Sequence, residues 1–241
     1  MAVSIDSVYQ KVLAFANKEQ RGYITPQEFN LFANQAQMEI FEQYFYDLNQ
    51  VARVPGNEYV YADPDDILEE KLQIFQHEEV LGPTIPSYVH RVYRIEFMPP
   101  TTSSTGLSST NTPGDIFNCE ILKTKDFNDV ISGPPLTKPT LIRPVANIRN
   151  NTLRISDGET ISNSANIFFF KQPIKVRWGY VVVNEKALYD PTYTTDFELH
   201  RSEESELVYR TLAYAGVTLQ KPDLTQSAMT METTKAQQEK I

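Results

Sequence analysis

"TPQEFNLFANQAQMEIFEQYFYDLN", Thr25–Asn49, decides how this chain begins to fold. Thr25 is a good N-cap and Pro26 suits the first helical position. Glu28 follows Thr25 by three residues, the spacing of a capping box. Phe29, Phe32, Ala33, Ala36, Ile40, Tyr44 and Leu48 then recur at helical spacing, so a long helix is predicted from Pro26 to about Asn49. Phe41 and Phe45 widen its apolar face beyond what one partner surface needs.

Upstream, Ile5, Val8, Val12 and Phe15 repeat the helical period, with Leu13 and Ala16 broadening the stripe; a first helix is predicted over 5–18. The stretch between them, "NKEQRGYITPQEF" from Asn17 to Phe29, has the outline of a calcium-binding EF-hand loop. Its third and fifth ligand positions are Glu19 and Arg21, and a guanidinium repels Ca²⁺. Glu28, the twelfth position, is already explained as a capping partner. The stretch reads as an elbow between helices, and no metal is expected.

Downstream, "VPGNEYVYADP" (54–64) reads as a turn, a short strand and a cap. Asp63-Pro64-Asp65-Asp66 starts a third helix through about Gln76, with Leu68, Leu72 and Phe75 on one face. "PSYVHRVYRIEFM" (86–98) reads as a strand in which Val89, Tyr93, Ile95 and Phe97 alternate and Arg91 breaks the pattern. The Ser/Thr/Pro/Gly stretch 99–115 has almost nothing to bury. Further strands are predicted near 117–122, 140–143, 152–156, 165–170 and 174–183, and Asp126 is expected to cap a short helix at 127–132. Asn150-Asn151 and Asp157-Gly158 are turn signals. "IKVRWGYVVV" (174–183) is the strongest strand signal, rich in β-branched and aromatic residues. A helix over Ser202–Ala215 is built on Leu207, Val208, Leu212 and Ala215, with Gly216 suited to its C′ position.

Helices precede strands and a helix returns, so the expected class is α+β: N-terminal helices, a central antiparallel β region, a C-terminal helix and an extended tail. The corresponding regions are 1–80, 81–199 and 200–241. After Gly216 only Leu224, Ala228, Met229 and Met231 offer apolar anchors, so the tail is expected to order on a partner.

The 241 residues carry 22 Lys+Arg against 31 Asp+Glu, a net charge of −9. An acidic whole argues against general nucleic-acid binding. Charge is uneven, however. Lys138, Arg143, Arg149, Arg154, Lys171, Lys175 and Arg177 face only Asp157 and Glu159 over 138–177, whereas 58–79 holds eight acidic residues and one Lys. Such a chain suits copies matched by opposite charge, or a basic patch along which DNA passes unread.

No constellation carries chemistry. His77, His90 and His200 have no pairing of the kind zinc needs. Cys119 is alone in a predicted strand and reads as a small core residue. No nucleophile signature and no phosphate-cradling glycine loop appears, so neither enzymatic activity nor a cofactor is expected. The longest apolar runs are far too short to span a bilayer, and no membrane is expected as a partner.

In layout, and best in "RGYITPQEFN" and "ELHRSEESELV", the chain resembles virion structural proteins of short-tailed phages, particularly marine and crAss-like ones, and the head–tail adaptor or tail tubular ring proteins of such phages. That resemblance implies a place in the virion, at the head–tail junction or tail. It implies a homo-oligomeric ring beneath the portal, with portal and other tail or ring proteins as partners and a lumen through which DNA passes. Other minor virion proteins, for the capsid or for fibre attachment, and a tail-associated enzyme are the alternatives. For a ring, the expected subunit interface comprises Phe29, Phe41, Tyr44 and Phe45 of the long helix and Leu224, Met229 and Met231 of the tail; the competing reading puts the helix aromatics in one chain's own core.

Overall fold

A computed structural model describes residues 3–17, 24–51, 64–97, 116–158, 161–162, 165–218 and 222–239. The stretch 99–115 and most of 54–64 lie outside the described residues, as does the middle of the Asn17–Phe29 elbow. The fold is α+β. It opens with helices α1 (Ile5–Asn17), α2 (Pro26–Val51) and α3 (Pro64–Gln73). Strands β1 (Gln76–Leu81), β2 (Val89–Phe97), β3 (Phe117–Asn118) and β4 (Glu120–Ile121) follow, then helix α4 (Thr124–Ser132). Next come β5 (Val145–Arg149), β6 (Thr152–Ser156), β7 (Ile161–Ser162), β8 (Ala165–Lys171), β9 (Tyr180–Val183) and β10 (Lys186–Tyr189). Helices α5 (Glu204–Thr218) and α6 (Pro222–Glu239) close the chain.

Two compact units result. One joins Met1–Ile74 to Pro173–Ile241 and the other is Phe75–Gln172. Residues 1–74 of the first expected region and all of the last therefore belong to one body; 75–80 go with the β unit and 173–199 with the helices.

The Phe75–Gln172 unit has two four-stranded sheets, ordered β1-β8-β2-β3 and β4-β5-β6-β7; all pairs are antiparallel except β4 with β5. Leu81, Ile85, Ile95, Phe97, Ala146, Leu153, Ile155, Ile167 and Phe169 form its core. Cys119 joins that core, and burial pushes its thiol up to about 12. Around Arg91 the β2–β8 register shifts, between Val89 and Arg91 and again between Val92 and Arg94. The irregularity turns Tyr93 away from the face shared by Ile95 and Phe97, leaving it 43% exposed. Asn150 and Asn151 both have positive φ, 48° and 58°, as the two-residue β5–β6 turn requires.

Several expected elements differ. Residues 140–143 form a tight turn, not a strand. The cap of α4 is Lys123, and Asp126 instead lies in the first turn, where a carboxylate favours the helix dipole. Gly216 lies inside α5, where a Cβ would come within 2.6 Å of the Thr225 hydroxyl on α6; glycine there permits close helix approach rather than a C′ turn. The tail is not extended: it forms α6, packed on α5 through Ala228.

The largest departure concerns 174–183. Only 180–183 enter a ladder, as β9 paired with β10. Residues 173–179 form an extended strap along α2. Asn34 donates to the Val176 carbonyl and accepts from the Val176 N–H, both at 2.9 Å. Asn30 does the same for Trp178 at 3.3 and 2.7 Å, and Gln37 donates to the Ile174 carbonyl at 2.8 Å. On the strap's other edge Arg177 exchanges two backbone bonds with Thr195. The match is geometric: four helical residues rise about 6 Å and two extended residues advance about 6.7 Å. Amides at i, i+4 and i+7 of a helix can therefore stand in for a neighbouring strand.

Candidate assembly surfaces

Phe29, Phe41 and Tyr44 all face inward and are buried within this one chain. Phe29 packs on Tyr9 with ring centroids 4.6 Å apart, and Tyr9 in turn meets Trp178 at 4.3 Å. Phe45 is half-buried, edge-on to Phe41 at 5.1 Å. Lys71 lies over the Tyr44 ring at 5.8 Å. The long helix thus uses its aromatic stripe on the chain's own core. Of the tail residues, Met229 and Met231 are exposed on α6, and the Leu224 side chain lies outside the described residues.

Among the described residues, α6 is tied to α5 and to the turn before it chiefly by charge, with Ala228 as its buried apolar side chain. Lys235 reaches Glu203 at 3.0 Å and Glu206 at 3.2 Å, and Arg210 meets Glu232 at 3.3 Å. Glu203 is also bound by Lys71 of α3 at 2.6 Å. Burial alone would raise the Glu203 carboxyl, but the hydrogen bond and charge of Lys71, joined by those of Lys235, hold it down at about 2. Burial would likewise weaken Arg210's hold on its proton, and Glu206, Glu232 and Glu39 outweigh it. Burial and a hydrogen bond to Glu39 push the Tyr214 hydroxyl up to about 12. Each buried charge has an opposite partner, as burial demands.

The other candidate groups are placed as follows. Glu28 accepts from the Thr25 N–H at 3.0 Å, and its own N–H donates to the Thr25 hydroxyl at 3.3 Å; the carboxylate is spent on the capping box. Residues 18–23 of the EF-hand-like stretch lie outside the described residues. His77 and His90 are on β1 and β2, and His200 accepts from the Ser202 N–H at the turn leading into α5. Among the described residues no group of three or more His, Cys, Asp or Glu is placed to hold a metal. No helix among them is long and apolar enough to cross a membrane.

Three surfaces escaped the sequence reading. The β9–β10 hairpin turns at Asn184-Glu185, both at positive φ (51° and 64°), and exposes Val181, Val182, Val183, Leu188 and Tyr189. Val182 is 62% exposed. Four apolar residues in a row carry no alternation, so no face of "YVVV" could be assigned to a core from sequence. The second is the loop 133–144, with Leu136 96% and Ile142 72% exposed. The third is α3 and the turn after it, where Ile67 and Ile74 are exposed along with Glu69 and Glu70.

Charge follows the division into units. Phe75–Gln172 holds nine basic and nine acidic residues, so the net −9 belongs entirely to the other unit. Of the basic residues singled out from sequence, Lys138, Arg143, Arg149, Arg154 and Lys171 are in the neutral unit, and Lys175 and Arg177 are on the strap. Arg154 is stacked over Phe127 at 5.5 Å. No family model and no curated protein matches the chain.

Proposed function

We propose that this chain is a structural component of a phage virion: an oligomeric ring or adaptor protein of the head–tail connector that joins portal to tail and surrounds the DNA channel. The layout resemblance supplies the identity of the assembly, and the β9–β10 hairpin is the observation that supports assembly itself. A two-stranded ribbon is marginal in water on its own. This one leaves valines exposed along β9 and has no third strand among the described residues. Unpaired strand edges and exposed apolar side chains invite pairing with another chain. In a ring they are covered by a neighbour, and the α5–α6 charge network holds the helical body rigid while that happens.

Light scattering after size-exclusion, with electron microscopy, tests the reading on the purified chain with and without its portal. Ring-shaped oligomers are expected in at least one of the two preparations. Val182→Asp is expected to abolish them and leave the circular dichroism of the chain intact. A chain that stays monomeric at all concentrations, portal present, overturns the reading.

A further inference from the structure

From Val130 to Ser156 there is no acidic residue, in a chain of net charge −9. This acid-free stretch includes the loop 133–144, which presents two bare aliphatic side chains, Leu136 and Ile142, beside exposed Lys138 and Arg143. Neither cation forms an ion pair with a described residue. The loop is braced rather than slack. Thr140 and Arg143 exchange backbone bonds at 2.9 and 3.4 Å, and Thr137 donates to the Pro134 carbonyl at 2.9 Å. Gly158, at φ 94°, comes so close that a Cβ would lie 2.1 Å from the Pro139 carbonyl. Aliphatic tips held out on a braced loop are available for burial by a partner at little ordering cost.

Helix α3 presents the opposite chemistry. Ile67 and Glu70 are one turn apart on one face of α3, exposed Ile74 follows in the turn that ends the helix, and Glu69 is exposed next to Glu70 in sequence. Glu70 lies 4.0 Å from the His200 ring and is otherwise open. One surface is aliphatic with positive charge and the other aliphatic with negative charge, and they belong to different units of the same chain.

We infer that the loop 133–144 of one copy docks on α3 and the turn that ends it in the next copy, Leu136 and Ile142 meeting Ile67 and Ile74, and Lys138 and Arg143 meeting the carboxylates of Glu70 and Glu69. This rests on the ring reading and deepens it by naming a second contact in addition to the one at the hairpin. The two surfaces are different, so the contact is heterologous, the kind that generates a ring when its rotation closes. Opposite charges set register and direction, and the four aliphatic side chains supply burial. The aliphatic tips favour protein over DNA as the occupant, since a phosphate backbone gains nothing from Leu136 or Ile142.

The test is charge reversal, read by light scattering at low salt. Lys138→Glu with Arg143→Glu, and separately Glu69→Lys with Glu70→Lys, are each expected to weaken self-association about 100-fold. The chain carrying all four changes is expected to recover most of it. All four side chains are exposed, so melting temperatures serve as the folding control. Reversal variants that assemble like the unaltered chain overturn this junction and leave the ring reading standing. Variants that assemble normally but lose affinity for duplex DNA overturn it in favour of a phosphate-facing loop. An unaltered chain that is monomeric even with its portal overturns both.

Discussion

Strand β8 and the strap 173–179 both carry strand-forming residues and are separated by one residue, yet they are held in different ways. Strand β8 has β1 on one side and β2 on the other, and it buries Ala165, Ile167 and Phe169 in an apolar core. The strap has Thr195 on one side and three side-chain amides of α2 on the other. Strand-like composition therefore specifies an extended backbone and not the partner that pairs with it. The units differ in the same way. Phe75–Gln172 holds its strands by ladders around an apolar core; the helical unit, whose own core buries Phe29, Phe41, Trp178 and Phe197, adds polar side chains as scaffold for its strap and for α6.

The largest effect that this contrast predicts is on the apolar side. Phe169→Ala is expected to cost about 3–5 kcal/mol in urea unfolding, the usual range for emptying a buried aromatic site. Strap amides should be little affected in hydrogen exchange. If they open together with β8, the two regions do not differ in the way described.

Acid should act on the other unit first. Glu203 holds its proton only below about 2, against an ordinary value of 4.5. Its contribution is present above 4.5 and is lost as pH falls from 4.5 towards 2, on the order of 3 kcal/mol in total. Trp178 is the single tryptophan, buried in the helical unit, so its fluorescence reports that unit alone. A red shift of its emission should precede loss of β-sheet circular dichroism on acid titration. Glu203→Gln should bring the same shift at neutral pH, because it leaves Lys71 buried beside an uncharged partner. Sheet signal lost before the tryptophan shift would contradict the contrast.

Asn34→Leu removes both bonds that Asn34 makes to Val176 and leaves a buried N–H and carbonyl without them. A cost of about 2 kcal/mol is expected. The specific readout is exchange at the Val176 amide, which should speed up while the Thr195 amide remains protected by its bond to Arg177.

How much of this was legible follows from distance along the chain. The capping box of Thr25 and Glu28, the core stripe of α5, most of that of α1 and the Asn150-Asn151 turn depend on residues a few positions apart, and their spacing displays them; the stripes overreach only at Phe15 of α1 and Leu48 of α2, which are exposed near the helix ends. The strap does not, because its partners lie 137 to 148 positions away and are Asn and Gln, which on a helix read as a wet surface. Arg91 was visible as a break in alternation, but not as the register shift that turns Tyr93 outward. Strands β1 and β5 escaped notice: β1 reads as the end of a helix, and its exposed Glu78 and Glu79 disguise an edge. The aromatic stripe of α2 shows only that Phe29, Phe41 and Tyr44 are to be buried; whether by their own chain or a neighbour is not written in periodicity. The exposed hairpin and the loop 133–144 were hidden for the converse reason, since apolar residues that no core absorbs carry no mark in the pattern.

The smallest effect sharpens the comparison at the strap's solvent end. Glu198 accepts from the Ile174 N–H at 2.8 Å, and this bond is exposed. Water can replace it, so Glu198→Ala should cost only about 0.5 kcal/mol, several times less than Asn34→Leu. If side-chain amides do act as a strand edge, the penalty should depend on burial along the strap: largest at Val176, smallest at Ile174. Exchange at the Ile174 amide should accelerate in Glu198→Ala with no change at Val176. Equal penalties at the two ends would mean that the strap is held by its buried side chains, Val176 and Trp178, and that the hydrogen-bonded row along α2 is a consequence of that packing rather than its cause.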